Sequence, residues 1–324
     1  SGGRAASNVV TSVNDNEAKN MGLEEAPAHD VRYDQADEFM EIVHGHWDTW
    51  EADAIVADRA SGLYARGDMV HRLDHEGPHY RSRGPFTVPR TPQGHPVVIQ
   101  AGQSGRGVDF ASRWGELLFM SNPSLSRAKE NYGAVKSAIE ANGRDPEQVK
   151  IANLTFPVVG RTMSEAEDRR AAYDLLPNLI DDLSLLSEGL NFDFSEKGLE
   201  DPLSEEDVAA MTGIQGIRNQ VIEVTGNQTP SVKDFVEVSG RGRLAHPVVG
   251  GPTELADYFE EWFTSPACDG FVIAGTHMPG AFEDFVDLVV PELQRRGLFR
   301  TEYSGTTLRD NLGLSQPIPG AWRR

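Results

Sequence analysis

The stretch PVVIQAGQSGRGVDFASRW, residues 96–114, decides the fold of this chain. Val97, Val98 and Ile99 form an apolar run too short and too β-branched for a helix. The run stops at a loop with Gly102, Gly105 and Gly107, and a helix then begins. A continuous apolar run of this kind marks a parallel strand buried on both faces, and α/β folds place ligands at the carboxyl ends of such strands. Ser104 offers a hydroxyl beside free backbone N–H groups at a helix amino terminus, where the macrodipole favours an anion such as phosphate. Gly105 and Gly107 let that anion approach the backbone. Alone the signal is weak: no Lys-Ser/Thr pair completes a P-loop, and the glycine spacing is not the dinucleotide fingerprint. For an isolated strand-glycine-helix turn, tight packing is the commoner reason for the glycines.

The same alternation continues on either side. Residues 8–13 read as a strand ended by Asn14-Asp15-Asn16. Asp30 is then the expected N-cap of a helix on which Phe39, Ile42, Val43, Trp47 and Trp50 recur at helical spacing, with Tyr33 in its first turn. Residues 61–90, rich in Gly, Pro, His and Arg, read as a hairpin or irregular excursion. Further strands follow at 117–119, 151–159 and 270–274. The helices between them are capped by Ser124 or Ser126, stopped at Asn142-Gly143 and opened by a capping box at Ser164-x-x-Glu167. A last helix spans 281–296 with Pro291 inside it. Strands near 8, 97, 117, 151 and 270 make five βα units and a parallel sheet. A closed (β/α)8 barrel needs eight strands, so the other three are expected upstream. From 183 to 250 the period is interrupted, which reads as an insertion on a βα connection, either carrying substrate determinants or making an oligomer contact.

Composition narrows the partners. A net charge of -20 over 324 residues repels nucleic acid and anionic membrane, leaving a small ligand as the expected partner. The single cysteine, Cys268, rules out an intramolecular disulfide and a thiol-based zinc site, and reads as a small buried hydrophobe. No apolar run reaches the length of a membrane span and no signal-peptide pattern opens the chain, so a cytoplasmic location is expected. His71, His75 and His79 are spaced by four, but Gly77 and Pro78 break the helix that would align them, which favours hydrogen bonding over a metal. His44 and His46 flank one residue of a helix and point apart. Arg241 and Arg243 read first as solvated loop residues and second as contacts for an anionic substrate or phosphate. His277, after the last strand, reads equally as a substrate contact and as a loop hydrogen-bonder.

Four blocks in order, SGGRAASNVVTS, HDVRYDQADEFMEIV, HRLDHEGPHYRSRGPFTVPRTPQGHPVVIQAGQSGRGVDFASRW and DGFVIAGTHMPGAFEDFVDLVVPELQRRGLFRTEYSGTTLRDNLGL, resemble the luciferase-like flavin-dependent monooxygenases. The resemblance is to the branch of the nitrilotriacetate and dibenzothiophene-sulfone monooxygenase large components. It implies an α/β fold, a TIM-type (β/α)8 barrel lacking its first strands, formed as one domain over residues 1–324 with the 183–250 insertion. It also implies reduced FMN delivered by a separate NAD(P)H-dependent flavin reductase, O2 as co-substrate, a small organic substrate and a homo-oligomer. By the same resemblance the FMN phosphate lies against Gly102, Gln103 and Ser104, His29 and Tyr33 contact the flavin, and Asn8 stands near the ring system. The anion-cradle reading of the glycine loop then takes precedence over packing. No catalytic base is assigned; His29 is the candidate for proton transfer, against an equal reading in which it only holds the phosphate or ribityl chain. Ser7 stands where the family commonly has an aromatic residue, so the wall of the flavin pocket is expected to differ. Family members carry a further third of the barrel upstream, and a sheet without it is expected to expose an edge that aggregates, pairs with another chain or folds poorly. Two other readings stand beside this one: a deazaflavin-dependent oxidoreductase of the same fold, and an inactive truncated barrel acting as a subunit.

Overall fold

The computed structural model describes residues 1–101, 105–239 and 246–323. Gly102, Gln103 and Ser104 of the glycine loop, and Arg241 and Arg243, lie outside the described residues. Five parallel strands make the central sheet: β1 (Ala6–Val9), β2 (Val97–Gln100), β3 (Leu117–Met120), β4 (Lys150–Thr155) and β7 (Gly270–Ile273). They pair in the order β1-β2-β3-β4-β7. These are the five strands expected from the apolar runs. Chain order and sheet order agree, as in a sheet wound one way by successive βα crossovers. Two shorter strands, β5 (Pro157–Val159) and β6 (Val248–Gly250), form a separate parallel pair.

The register sorts side chains onto two faces. Val98 packs with Tyr33, Met40, Phe110 and Trp114, while Leu118, Met120 and Ile151 pack with Val135 and Ile139. Phe271 and Ile273 lie against Phe259 and Val289. The helices supplying those partners are α1 (His29–Trp47), α2 (Gly105–Trp114), α3 (Leu125–Ala141) and, further on, a helix over Pro252–Thr264. Because successive strand residues point to opposite sides, the alternate positions Ile99, Phe119, Leu154 and Val272 belong to the other face, where they are only half-buried, and Asn8 is exposed.

Several boundaries depart from the sequence reading. The first strand lies at Ala6–Val9, not 8–13. Asn14-Asp15-Asn16, read as a turn, opens a short helix over Asp15–Asn20 capped by Asn14, and the helix expected to be capped by Asp30 begins at His29, with Ala28 in the cap position, no side-chain cap, and Asp30 inside its first turn. The helix α4 (Met163–Asp174) is capped by Thr162, not Ser164: the Thr162 side chain accepts from Glu165 N–H, two residues ahead of the expected box. The expected strand 151–159 breaks at Phe156 into β4 and β5, which pair with different neighbours. Ser124 and the Asn142-Gly143 stop act as expected: Ser124 accepts from Arg127 N–H, and Gly143 adopts φ +70. The helix expected over 281–296 carries a wide turn at Phe285–Val289 ahead of Pro291, where a regular turn would meet the proline ring and its missing N–H.

The interrupted stretch is helical: α5 (Leu179–Leu190), α6 (Glu205–Ala210), α7 (Gln215–Thr225) and α8 (Val232–Val238). Leu186, Leu190, Phe194, Met211, Val221 and Phe235 give it a core of its own. The 61–90 excursion contains an antiparallel hairpin, His75–Glu76 with Arg81–Ser82. Among the described residues no helix is long and apolar enough to cross a membrane.

Candidate functional site at the carboxyl end of the sheet

At the start of α2, beside α1, a Cβ placed on Gly105 would meet nothing within 4 Å among the described residues. Tyr33, one helical turn after His29, is buried with its ring edge on Phe110, centroids 5.7 Å apart. The His29 ring lies 5.0 Å from the Tyr33 ring, and its Nδ1 is 2.8 Å from Asp30 Oδ1. Arg106 fastens the two helices: its guanidinium donates to Asp34 at 2.9 Å and Asp37 at 2.8 Å and lies 5.7 Å from the Tyr33 ring centroid. Hydrogen bonds to Asp37, against burial, hold the Arg106 charge more firmly than usual. Arg32, in the first turn of α1, is buried, its Nη1 donating 2.7 Å to Pro27 O while its Nε meets no partner among the described residues. Burial lowers the Arg32 pKa, opposed by Tyr33 and the Asp15 carboxylate.

The structure therefore brings His29 and Tyr33 together at the head of α2. Asn8 lies on the neighbouring strand, paired in register with Ile99, and points to the uncovered face. Arg32 and Arg106 were not singled out in the sequence. Arg32 stands at i+3 from His29, a spacing that could have marked it.

The insertion, with the helix α4 that leads into it, is tied to this end of the sheet at three places. After β7, the Tyr173 hydroxyl is 3.0 Å from His277 Nδ1. After β1, Asn191 Nδ2 donates 2.8 Å to Val13 O, and its Oδ1 accepts from Asp15 N–H at 3.3 Å. After β3, Arg127 donates 2.6 Å to Glu223 of α7. Since β1 and β7 are the two edges of the sheet, the stretch from Tyr173 of α4 through the insertion is bonded at both edges. His277, an even choice in the sequence, is one of the tie points.

The other histidines make local bonds. His71 Nε2 is 2.7 Å from Glu51 and His75 Nε2 is 3.0 Å from Glu38, whose carboxylate also accepts His79 and Tyr80 N–H, each at 2.8 Å. Glu38 thus pins the hairpin to α1. His44 turns to Trp114 and His95, and His46 to Ser82 and Phe86, pointing apart as expected. Cys268 is buried, and burial pushes its thiol up to about 12, so it is inert packing.

Residues 1–265 match the family described as luciferase-like monooxygenase. The chain is similar to the dibenzothiophene-sulfone monooxygenase of Rhodococcus erythropolis, 40% identical over 324 residues, covering 98% of this chain and 70% of that one. It is similar to nitrilotriacetate monooxygenase component A of Aminobacter aminovorans, 38% identical over 319 residues, covering 97% and 70%. Among solved structures it superposes on a riboflavin lyase holding modified FMN and riboflavin, with a TM-score of 0.83, 31% identity, and coverage of 97% of this chain and 69% of that one. The chain thus spans about 70% of the length of the curated relatives it matches.

Proposed function

The chain belongs to the luciferase-like monooxygenase family, and on that premise we propose that it is the oxygenating component of a two-component, FMN-dependent monooxygenase, a single barrel domain over residues 1–324. Its relatives are named monooxygenases, one of them a component A, which supports both the enzyme class and a partner component. The observation that carries the FMN assignment is the head of α2 at Gly105, bordered by His29 and Tyr33. A phosphate fits there because first-turn N–H groups lack intrahelical acceptors and the dipole favours a negative charge.

In this reading Gly102, Gln103 and Ser104 close around the phosphate, and Tyr33 stands as a wall kept in place by Phe110. His29 hydrogen-bonds the flavin and is placed to hold or give a proton, with Asp30 fixing its ring. Asn8, on the uncovered face beside Ile99, borders the ring system. Bound reduced FMN supplies the reactivity toward O2. The protein supplies position and dryness, with the tied insertion limiting water at the strand ends. A separate flavin reductase delivers the reduced flavin, and the substrate is a small organic molecule of the breadth the relatives' names span, from a neutral aromatic sulfone to a tricarboxylate. The enzyme works in the cytoplasm as a homo-oligomer.

Anaerobic titration with reduced FMN tests this. Tight binding is expected, weakened about tenfold by Ser104→Ala, the scale of one lost hydrogen bond to a charged group. Absence of FMN binding, or preference for a deazaflavin, would overturn the assignment.

A further inference from the structure

The connection between β1 and α1 is held from the insertion. At the end of α5, Asn191 takes the left-handed conformation, φ 51 and ψ 42, which asparagine tolerates better than most residues with a Cβ. The insertion fixes it there. Leu190 and Phe194 are fully buried in the insertion core, Phe192 N–H donates to Ser187 O at 3.2 Å, and Gly213 N–H donates to Leu190 O at 3.1 Å. From this turn the Asn191 amide meets the chain that leaves β1: its Nδ2 donates to Val13 O at 2.8 Å, and its Oδ1 accepts Asp15 N–H at 3.3 Å. One planar side chain thus answers both a carbonyl and an N–H, which a carboxylate or an aliphatic group of the same shape cannot do.

Asp15 carries the connection onward. Its Oδ1 accepts Ala26 N–H at 3.0 Å, on the far side of the short helix over Asp15–Asn20. The next residue, Pro27, accepts from Arg32 Nη1 at 2.7 Å. These two bonds fix where α1 starts, because Ala28 in the cap position offers no side-chain bond to the free N–H groups of the first turn. His29 is the first residue of that helix, and Tyr33 follows one turn later. Burial works against the Arg32 charge, and Tyr33 and the Asp15 carboxylate work for it, so Asp15 supports the head of α1 through charge as well as through Ala26.

We infer that Asn191 and Asp15 are positioning residues through which the insertion sets the place of His29, so that seating of the insertion and binding of flavin at His29 favour each other. The inference rests on the reading of His29 as a flavin contact and adds a means of regulating that site. By linkage the effect runs both ways: a bound flavin that holds His29 also holds the insertion against the chain after β1.

Variants of the full chain, followed by hydrogen exchange and by anaerobic titration with reduced FMN, test this. Asn191→Gly keeps the left-handed turn and removes the amide. Asn191→Asp keeps the shape but sets a carboxylate oxygen against Val13 O, and Asp15→Ala cuts the next link from outside the insertion. Without flavin, each should speed exchange of the Arg32 and Tyr33 amides about fivefold, while Phe235 and Val236 in the insertion core keep the parent rate. Each should weaken FMN about five- to tenfold, the lower part of the usual range of coupling between sites. In a His29→Ala background Asn191→Gly should weaken FMN no further, since one route cannot be cut twice. FMN should also slow exchange at Phe192 and Gly213 in the parent and not in Asn191→Gly. Should the Asn191 variants disturb the insertion core, Asp15→Ala, which leaves that core intact, takes their place. Parent rates at Arg32 and Tyr33 in every variant would overturn the inference, as would additive losses of FMN affinity from Asn191→Gly and His29→Ala. If FMN fails to bind the parent while the first turn of α1 loosens as expected, the flavin reading falls and the positioning role stands. If FMN binds parent and variants alike and exchange does not change, only the positioning role falls.

Discussion

The two ends of the sheet are built from different chemistry. At the amino end, Arg309 is 2% exposed and donates to both oxygens of Glu116, at 2.7 and 2.9 Å, as well as to the carbonyls of His95 and Ser315. Beside it Asp48 accepts from His95, Arg90, Gly320 N–H and Trp322, tying the end of the chain to α1. At the carboxyl end the ties are Tyr173 to His277, Asn191 to Val13 and Arg127 to Glu223, all among partly or fully exposed groups. Buried charge networks resist opening because a broken partner leaves a desolvated charge; exposed ties can be remade by water. Stability is therefore concentrated at the amino end, leaving the carboxyl end, where ligands bind in such folds, able to move.

The largest effect should come from cutting the ion pair at the amino end. Arg309→Met strands the Glu116 carboxylate in a mostly buried site and should cost about 3–5 kcal/mol of unfolding free energy in urea. The folded fraction should keep its affinity for FMN. A loss of less than about 1 kcal/mol would mean that water reaches Glu116 and that the two ends differ less than their geometry indicates.

Acid should sharpen the contrast next. Burial alone would raise the Asp48 pKa, but hydrogen bonds from His95, Gly320 N–H and Trp322 hold it down, at about 2. Its stabilisation is complete above the unfolded carboxyl value and is lost as pH falls toward about 2. Burial, with His95 close by, pushes His44 from 6.5 to about 3. Between those values the unfolded chain takes up a proton that the folded chain refuses, so stability already falls with pH in that window. His44→Phe should remove the upper window in a pH series of melting temperatures and leave the lower one. A His44→Phe curve parallel to the parent would show that His44 is not the group responsible.

These contrasts also explain what could be read from the sequence. The five sheet strands were legible because each is an apolar run flanked by turn residues, and the site was legible as far as its local signals reached: the glycine loop, and His29 and Tyr33 one helical turn apart. The cap of α4 was misplaced because Thr162 and Ser164 are each followed three residues later by a glutamate, and the pattern alone does not choose between them. β6 went unread because three residues carry too little pattern. The roof, the stretch from Tyr173 through the insertion, was beyond reach for a different reason. Its ties join residues 104 and 178 positions apart, and no local period encodes such pairs. Arg309 and Glu116, 193 positions apart, were invisible for the same reason.

The smallest effect on stability should be the most informative about the roof. Arg127 and Glu223 are 46% and 68% exposed, so Arg127→Ala should change global unfolding by no more than about 1 kcal/mol. Yet that bond is the tie between α7 and the end of β3, and losing it should let the insertion open locally without unfolding the sheet. Hydrogen exchange should then accelerate several-fold in α7 and hardly at all in β2 or β3, and added salt should produce part of the same change in the parent by screening the pair. Equal exchange in both proteins would mean that the insertion is held by its own core and the remaining ties, and that the end of β3 contributes nothing to keeping the roof closed.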